Sequence, residues 1–274
     1  MNLKIGFSPC PNDTFIFDAL INRRIATGDF EFTPVIADVE QLNEMSFESQ
    51  LDITKVSFHT YAYISGSYSI LSSGCALGFG NGPLVISRKR IYPDELTQCK
   101  IAIPGKYTTA NLLFSIAYPE AGNKRDYLFS DIEQAILEGE VDAGVIIHEN
   151  RFTYKDKGLQ KITDLGEYWE EKTKSPVPLG CIAVKRSLPG EVRIAAGRLM
   201  KDSVLYALEN PAASSGFVMK YASEMEPEVL RKHIELYVNE FTVELGSEGR
   251  NAIQKLFEVA FERKIIPALP EQYL

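Results

Sequence analysis

The chain has 274 residues, of which 45% are apolar and 24% are charged, and its formal net charge is −8. This length is enough to bury a substantial core, and the composition is that of an ordinary globular protein. The negative charge argues against a nucleic-acid partner, because nucleic-acid binding needs a concentrated basic surface.

The N-terminal segment does not have the pattern of a secretory signal peptide, since its apolar residues are interrupted by Lys4, Asp13 and Asp18. No run approaches the roughly 18 apolar residues of a membrane span. The four cysteines are far apart in the sequence, without CxxC pairing, and indicate free thiols in a reducing cytoplasm. They are Cys10, Cys75, Cys99 and Cys181. We therefore expect a cytoplasmic protein without a disulfide framework.

The N-terminal third alternates strand and helix patterns. Residues 3–9 alternate and stop at a proline, which predicts a buried strand, and residues 13–25 have the apolar spacing of a helix. Asn12 or Asp13 is expected to cap this helix. Residues 29–38, 39–49 and 51–64 then predict a strand, a helix, and a strand that runs into a third helix. This alternation predicts a parallel, three-layered α/β domain.

Two later segments, residues 82–90 and 179–187, are both glycine-led apolar strands with basic ends. Between them lies a separate α/β pattern, and the chain after them is helical. We interpret the two segments as hinge strands that join a discontinuous domain I, residues 1–87 and 186–274, to a domain II of residues 88–185. This organisation predicts two lobes with a ligand cleft between them, beyond the carboxyl ends of the strands.

Four loops that follow predicted strands are expected to face this cleft. The first three begin helices, whose unpaired N–H groups and partial positive charge suit a carboxylate or a phosphate. Their polar residues are Ser8, Asn12, Asp13 and Thr14; Lys55 and Ser57; and Thr108, Thr109 and Asn111. The third loop lacks the spacing of a Walker A motif, and its two threonines could equally be helix caps without a ligand.

The fourth loop places His148 directly after a buried strand. An imidazole at a strand end beside a cleft suits a general base, because its ordinary pKa lies near neutral, although a structural histidine fits the position as well. His59 and His233 are weaker candidates, and the three histidines lack metal-ligand spacing, so no metal is expected. Cys10 lies between two prolines and has two interpretations. It is a nucleophile, with a pKa lowered by the nearby helix N-terminus, or it is a small residue that packs under the loop.

Five motifs, in order along the chain, resemble the 1,4-dihydroxy-6-naphthoate synthases of the futalosine route to menaquinone. They are SPCPNDTFIF, DITKVSFHTY, GPLVIS, IPGKYTTANLL and GVIIHENRFTY. The resemblance implies a two-lobed fold similar to the type II periplasmic binding proteins. It also implies a carbon–carbon lyase that cleaves cyclic dehypoxanthinyl futalosine to the naphthoate, with aromatisation as a driving force and no external cofactor.

The same resemblance implies roles for individual residues. His148 would be the general base, and the substrate, a small carboxylate, would be bound by the residues that match the family's motifs. These are Lys55, Val56, Ser57, Thr109 and Ala110. Further residues would border the cleft. They are Ser8, Asn12, Asp13, Thr108 and Asn111.

Three alternatives share this fold. A solute-binding protein would need an export signal or a lipid-anchored cysteine, and neither pattern is present at the start of this sequence. The sister chorismate dehydratase resembles the synthase but lacks the SPCPNDTF opening, and a substrate assay would distinguish the two. A ligand-sensing regulator domain is disfavoured because no helix-turn-helix segment is evident.

Overall fold

The computed structural model describes residues 1–222 and 226–270 and contains two mixed β-sheets flanked by helices. The first sheet has the strand order β2-β1-β3-β11-β4, with β5 paired to β11. Its strands are β1 (Asn2–Phe7), β2 (Glu31–Ile36), β3 (Ile53–Ser57), β4 (Tyr68–Ile70), β5 (Ala76–Gly78) and β11 (Val177–Lys185). β1 pairs in parallel with β2 and β3, as the strand–helix alternation predicts, whereas β11 is antiparallel to β3, β4 and β5.

The second sheet has the order β10-β6-β9-β7-β8. Its strands are β6 (Leu84–Ser87), β7 (Ile101–Ile103), β8 (Lys124–Asp126), β9 (Ala143–Ile146) and β10 (Gln160–Asp164). β7 is parallel to β8 and β9, and β6 is antiparallel to β9 and β10. The central strands β6, β7 and β9 are fully buried, so they appear in the sequence as continuous apolar runs.

Helices cover both sheets, and the described part of the chain after β11 is helical. The α-helices are α1 (Pro11–Ile21), α2 (Val39–Phe47), α3 (Phe58–Ile64), α4 (Thr109–Ala117), α5 (Ile132–Glu138), α6 (Asn150–Thr153), α7 (Leu165–Thr173), α8 (Gly190–Glu209), α9 (Pro211–Tyr221), α10 (Pro227–Tyr237), α11 (Glu240–Val243) and α12 (Gly246–Glu262). Two 3₁₀ helices span Pro93–Gln98 and Phe129–Asp131. In the described part of the chain, no helix is both long and apolar enough to cross a membrane.

The core on one side of the first sheet joins β1 to α1 and α8. Phe7 and Phe17 are completely buried, and their rings stack with centroids 4.5 Å apart. Met200 and Val204 of α8 belong to the same apolar cluster. Burial of each such side chain contributes about 2–3 kcal/mol, so this packing holds α1 firmly and with it the loop that precedes the helix.

The chain crosses from the first sheet to the second between β5 and β6, and returns between α7 and β11. At the first crossing Gly82 lies against Gly166 at the start of α7, so closely that a Cβ on Gly82 would lie 2.3 Å from the Gly166 Cα. Strand β6, one of the two expected hinge strands, pairs within the second sheet. The limits of the two domains stay a prediction, and residues 223–225 and 271–274 of domain I lie outside the described residues.

Candidate active site

A cavity, which together with the open solvent at its mouth has about 690 Å³ of empty space, is lined by strands of the first sheet and by loops that follow strands of both sheets. The loops after β1, β3, β7 and β9 all reach it, as expected for the carboxyl ends of strands in an α/β fold. Most of the predicted site residues line this cavity. They are Ser8, Asn12, Asp13, Lys55, Val56, Ser57, Thr108, Thr109, Ala110 and His148.

Asn111 does not line the cavity. Its side-chain amide donates to the Lys106 carbonyl at 2.7 Å, and its Oδ1 accepts from the Lys124 ammonium at 3.1 Å. The Asn111 side chain therefore holds the loop before α4 and the start of β8 together.

The carboxylate of Asp13 is the centre of a buried polar network on the cavity wall. Its Oδ2 accepts from the Ser8 backbone N–H and hydroxyl, at 3.2 and 2.7 Å. Its Oδ1 accepts from the Asn12 amide at 2.9 Å and from the Lys55 ammonium at 2.5 Å. Four hydrogen bonds to one carboxylate fix the loop after β1 against the end of β3.

The expected capping of α1 by Asn12 or Asp13 is wrong. The helix begins at Pro11 with Cys10 in the N-cap position, and no side chain caps it. A proline at the first helical position has no N–H to satisfy and a backbone angle already suited to a helix. Asn12 and Asp13 therefore lie inside the first turn, where their side chains are free to form the cavity-wall network.

A second polar group supports the end of β3. The Ser57 backbone N–H donates to the Asn43 Oδ1 at 3.0 Å, and the Asn43 amide donates to the Glu40 carboxylate at 2.9 Å. Both supporting residues are on α2, in which the sequence shows only amphipathic helix spacing. Their contribution was not predicted, because a polar side chain that turns inward from a helix has no distinctive local pattern.

Five bridging hydrogen bonds of the described residues connect first-sheet elements to the loop and helix start at residues 105–109. They are Tyr107 N–H to Glu40 Oε1 at 3.0 Å, Thr60 Oγ1 to Tyr107 O at 3.0 Å, His59 Nδ1 to Thr108 O at 3.2 Å, His59 N–H to Thr109 Oγ1 at 3.4 Å and Thr109 Oγ1 to Leu179 O at 2.6 Å. They hold α2, α3 and β11 against the start of α4 along one side of the cavity.

The start of α4 presents backbone donors to the cavity. Thr108 is the N-cap residue, and its hydroxyl accepts from the Asn111 N–H at 3.2 Å. Among the described residues, the N–H groups of Thr109 and Ala110 have no acceptor, and both residues line the cavity. Thr108 thus caps the helix, while the two free N–H groups and the helix dipole create a position suited to an anion.

His148 lies two residues beyond the end of β9, with a left-handed backbone conformation (φ 63°) that is unusual for a residue with a side chain. Burial lowers the pKa of its imidazole to about 4, so the ring is neutral near pH 7. Its Nδ1 is buried and has no hydrogen-bond partner among the described residues. A neutral imidazole on a cavity wall can accept a proton from a bound molecule.

The other two histidines have separate positions. His59 lies at the start of α3 among Tyr63 and Tyr107, and burial lowers its pKa to about 4. His233, on α10, is fully buried and its ring is nearly parallel to that of His148, with centroids 5.7 Å apart. The structure thus brings a histidine that is 85 positions away in the sequence into contact with His148.

Cys10 lines the cavity but does not have the chemistry of a nucleophile. Burial raises the pKa of its thiol well above the ordinary value, and the carboxylates of Glu149 and Asp13 raise it further. The expectation that the helix N-terminus would lower this pKa is therefore wrong. All four cysteines of the chain are free and buried.

Several cavity residues have no recognisable signal in the sequence. Asp38 begins α2, Phe129 lies in a 3₁₀ helix, and Tyr237 ends α10. Each comes from a segment distant in sequence from the four predicted loops. Within the described ranges, no group of three or more His, Cys, Asp or Glu side chains is arranged to hold a metal ion.

Two mixed sheets, linked by two crossings and lining one cavity, define a protein of the periplasmic-binding-protein fold. The alkanesulfonate-binding protein SsuA of Xanthomonas axonopodis superposes with a TM-score of 0.73 at 14% identity, covering 97% of this chain and 94% of that one. A Candida albicans protein described as having the generic periplasmic binding protein fold gives 0.66 at 10% identity, covering 100% and 98%. These likenesses confirm the predicted fold class.

The chain belongs to the family described as menaquinone biosynthesis, which matches residues 3–262. It is 40% identical over 268 residues to a 1,4-dihydroxy-6-naphthoate synthase of Thermus thermophilus, covering 98% of this chain and 97% of that protein. A synthase of the same name from Streptomyces coelicolor is 41% identical over 272 residues, covering 97% and 95%. The crystal structure of Archaeoglobus fulgidus AF1704, 37% identical, superposes with a TM-score of 0.92 and covers 97% and 98%. The predicted family is confirmed, and the chain is an enzyme.

Proposed function

We propose that this enzyme is a carbon–carbon lyase that converts cyclic dehypoxanthinyl futalosine to 1,4-dihydroxy-6-naphthoate in the futalosine route to menaquinone. The names of the two curated relatives support the synthase over the sister chorismate dehydratase. The observation that carries the proposal is the position of His148, neutral and with an unpartnered buried nitrogen, on the wall of a cavity that also presents free backbone donors.

In this proposal His148 is the general base. The imidazole takes the proton of a substrate hydroxyl, the electron pair of that O–H bond forms a carbonyl, and the adjacent carbon–carbon bond breaks. The electron pair of the broken bond passes into the ring that becomes aromatic. General-base assistance of this kind is typically worth about 10²–10⁴-fold in rate.

The substrate carboxylate would be held at the start of α4. The free N–H groups of Thr109 and Ala110 supply hydrogen-bond donors, and the helix dipole adds a partial positive charge. The Lys55–Asp13 ion pair, with Val56 and Ser57 on the same strand end, would form the opposite wall. An anion can bind here without a free cation, because the backbone donors are already oriented.

Two further parts of this proposal are the domain organisation and the location of the enzyme. Residues 1–87 with 186–274 would form one lobe and residues 88–185 the other, and they would close on the substrate. The free state of all four cysteines supports a reducing compartment, the cytoplasm.

The proposal is tested by the turnover of cyclic dehypoxanthinyl futalosine by the purified protein and by its His148→Ala variant. We expect the wild type to release dihydroxynaphthoate and the variant to lose about a hundredfold or more in kcat while still binding the substrate. Wild-type protein that binds the compound without turnover would contradict the lyase function. Normal turnover by the variant would contradict the role of His148.

A further inference from the structure

The ring of His233, on α10, packs between two aromatic neighbours, Tyr237 of the same helix and His148. Its ring centroid lies 4.7 Å from that of Tyr237 and 5.7 Å from that of His148, with an interplanar angle of 13° to the latter. The side chain is fully buried. The charge and orientation of His233 therefore act directly on the imidazole proposed as the base.

The hydrogen bond to Asn12 determines which nitrogen of His233 carries a proton. The Asn12 Nδ2 donates to the Asp13 carboxylate, so the Asn12 Oδ1 must face the other way, toward His233 Nε2 at 2.9 Å. A carbonyl oxygen can only accept a hydrogen bond. The His233 Nε2 is therefore the protonated nitrogen.

The other nitrogen of His233 faces Glu149. The Nδ1 lies 3.8 Å from the Glu149 Oε2, and neither atom has a hydrogen-bond partner among the described residues. In a neutral ring with its proton on Nε2, this Nδ1 carries a lone pair, which an ionised carboxylate would repel. Burial lowers the pKa of His233, which favours its neutral ring, and burial raises the pKa of Glu149. The 3.8 Å separation is too long for a hydrogen bond between the two groups.

The surroundings of this pair carry no net charge. The titratable groups that face it, besides His148, are Lys55, Asp13, Lys157, Glu133, Cys10 and Tyr237. The first four form two ion pairs. Burial raises the pKa of the last two groups, which remain protonated and uncharged. Arg151, near Tyr237, is paired with Asp164.

We infer that Asn12, as an acceptor from Nε2, holds the buried His233 ring as a neutral imidazole that stacks on His148 and positions it for proton abstraction. The inference rests on the proposed function, because it assigns the stacked partner of the base. A cationic His233 at this distance would oppose protonation of His148 by a factor on the order of a hundred in equilibrium. His233 is thus a positioning residue.

The state of the His233 ring can be measured without turnover. In protein labelled with ¹⁵N-histidine, the chain has only three histidines to assign, and a His233→Gln sample identifies one of them. We expect His233 to show a neutral ring with the proton on Nε2 between pH 6 and pH 8. A doubly protonated ring, or a proton on Nδ1, would overturn the inference even if the protein proves to have another function.

A His233→Phe variant adds a second readout. Phenylalanine keeps a ring of similar volume beside His148 but removes the hydrogen bond to Asn12, so the ring is no longer held in its orientation. We expect a lower kcat and unchanged substrate binding. If His148→Ala lowers kcat in the same assay and His233→Phe does not, the proposed function stands and the positioning role of His233 fails.

Discussion

The Lys55 ammonium lies 2.5 Å from the Asp13 carboxylate, and the two side chains are only 6% and 1% exposed. This ion pair joins the loop after β1 to the end of β3 on the cavity wall. Since both charges are removed from water, each depends on the other for its stability.

Asp13→Asn is expected to lower the free energy of unfolding by about 3–5 kcal/mol, because the variant leaves the Lys55 charge buried and unpaired. The double variant Asp13→Asn, Lys55→Met removes both charges and should recover part of this loss. Urea unfolding of the wild type, both single variants and the double variant measures the coupling. Strictly additive losses would show that the two side chains do not depend on each other.

His59 provides a pH-dependent contribution to stability. Its pKa is about 4 in the folded protein, below the ordinary value of 6.5 that it regains on unfolding. Between these values the unfolded chain binds more protons, so the free energy of unfolding falls as the pH falls from 6.5 toward 4. His59→Gln is expected to reduce the loss of stability between pH 7.5 and pH 4.5 by about 2–3 kcal/mol.

Chemical denaturation at the two pH values gives this difference directly. The acidic residues titrate equally in the wild type and the variant. The difference between their two curves of unfolding free energy against pH therefore gives the contribution of His59 alone. An unchanged pH dependence in the variant would mean that the pKa of His59 is the same in the folded and the unfolded protein.

Gly82 is expected to tolerate no side chain. A Cβ at this position would lie 2.3 Å from the Gly166 Cα, and neither backbone can move without shifting β6 or α7. Gly82→Ala should destabilise the protein by about 1–3 kcal/mol or more. Gly216→Ala, in the middle of α9 with no heavy atom within 4 Å of the added Cβ, is the matched control and should stabilise it by about 0.5–1 kcal/mol. Thermal unfolding of both variants measures the contrast.

Cys10 is expected to be dispensable for the chemistry. Its thiol stays protonated because burial and nearby carboxylates raise its pKa, and a thiol is a poor nucleophile compared with a thiolate. Cys10→Ala should retain kcat within about threefold of wild type, and iodoacetamide should modify the wild-type residue slowly at pH 7. Loss of activity in the variant, together with rapid alkylation, would restore the nucleophile interpretation.

The sequence contained enough information for the parallel part of the fold. The hydrophobic periodicity is clear in the first four elements, β1, α1, β2 and α2. The loops after the strands lie close together because the carboxyl ends of parallel strands lie at the same edge of a sheet. β8 could not be found in this way. Its three residues, Lys124–Asp126, are polar and pair with β7 through the backbone alone.

The candidate site was predictable only where it follows strand ends. His148 and Lys55 are in such positions, but His233 reaches His148 from α10, where its spacing is that of any amphipathic helix. The helix cap was wrongly predicted for a related reason. The side chains of Asn12 and Asp13 have partners on other elements, and a local pattern cannot show where those partners lie.

The five bridging hydrogen bonds have a kinetic consequence. Each hydrogen bond contributes only about 1 kcal/mol to stability. A movement that separates α3 from α4 and widens the cavity would, however, break at the same time all the bridging hydrogen bonds that cross between them. Such concerted openings occur on microsecond to millisecond timescales. The residence time of a bound molecule is then governed by the rate at which the protein opens. Two product analogues of different affinity would dissociate at the same rate, as long as the contacts of each are weaker than the bridging hydrogen bonds.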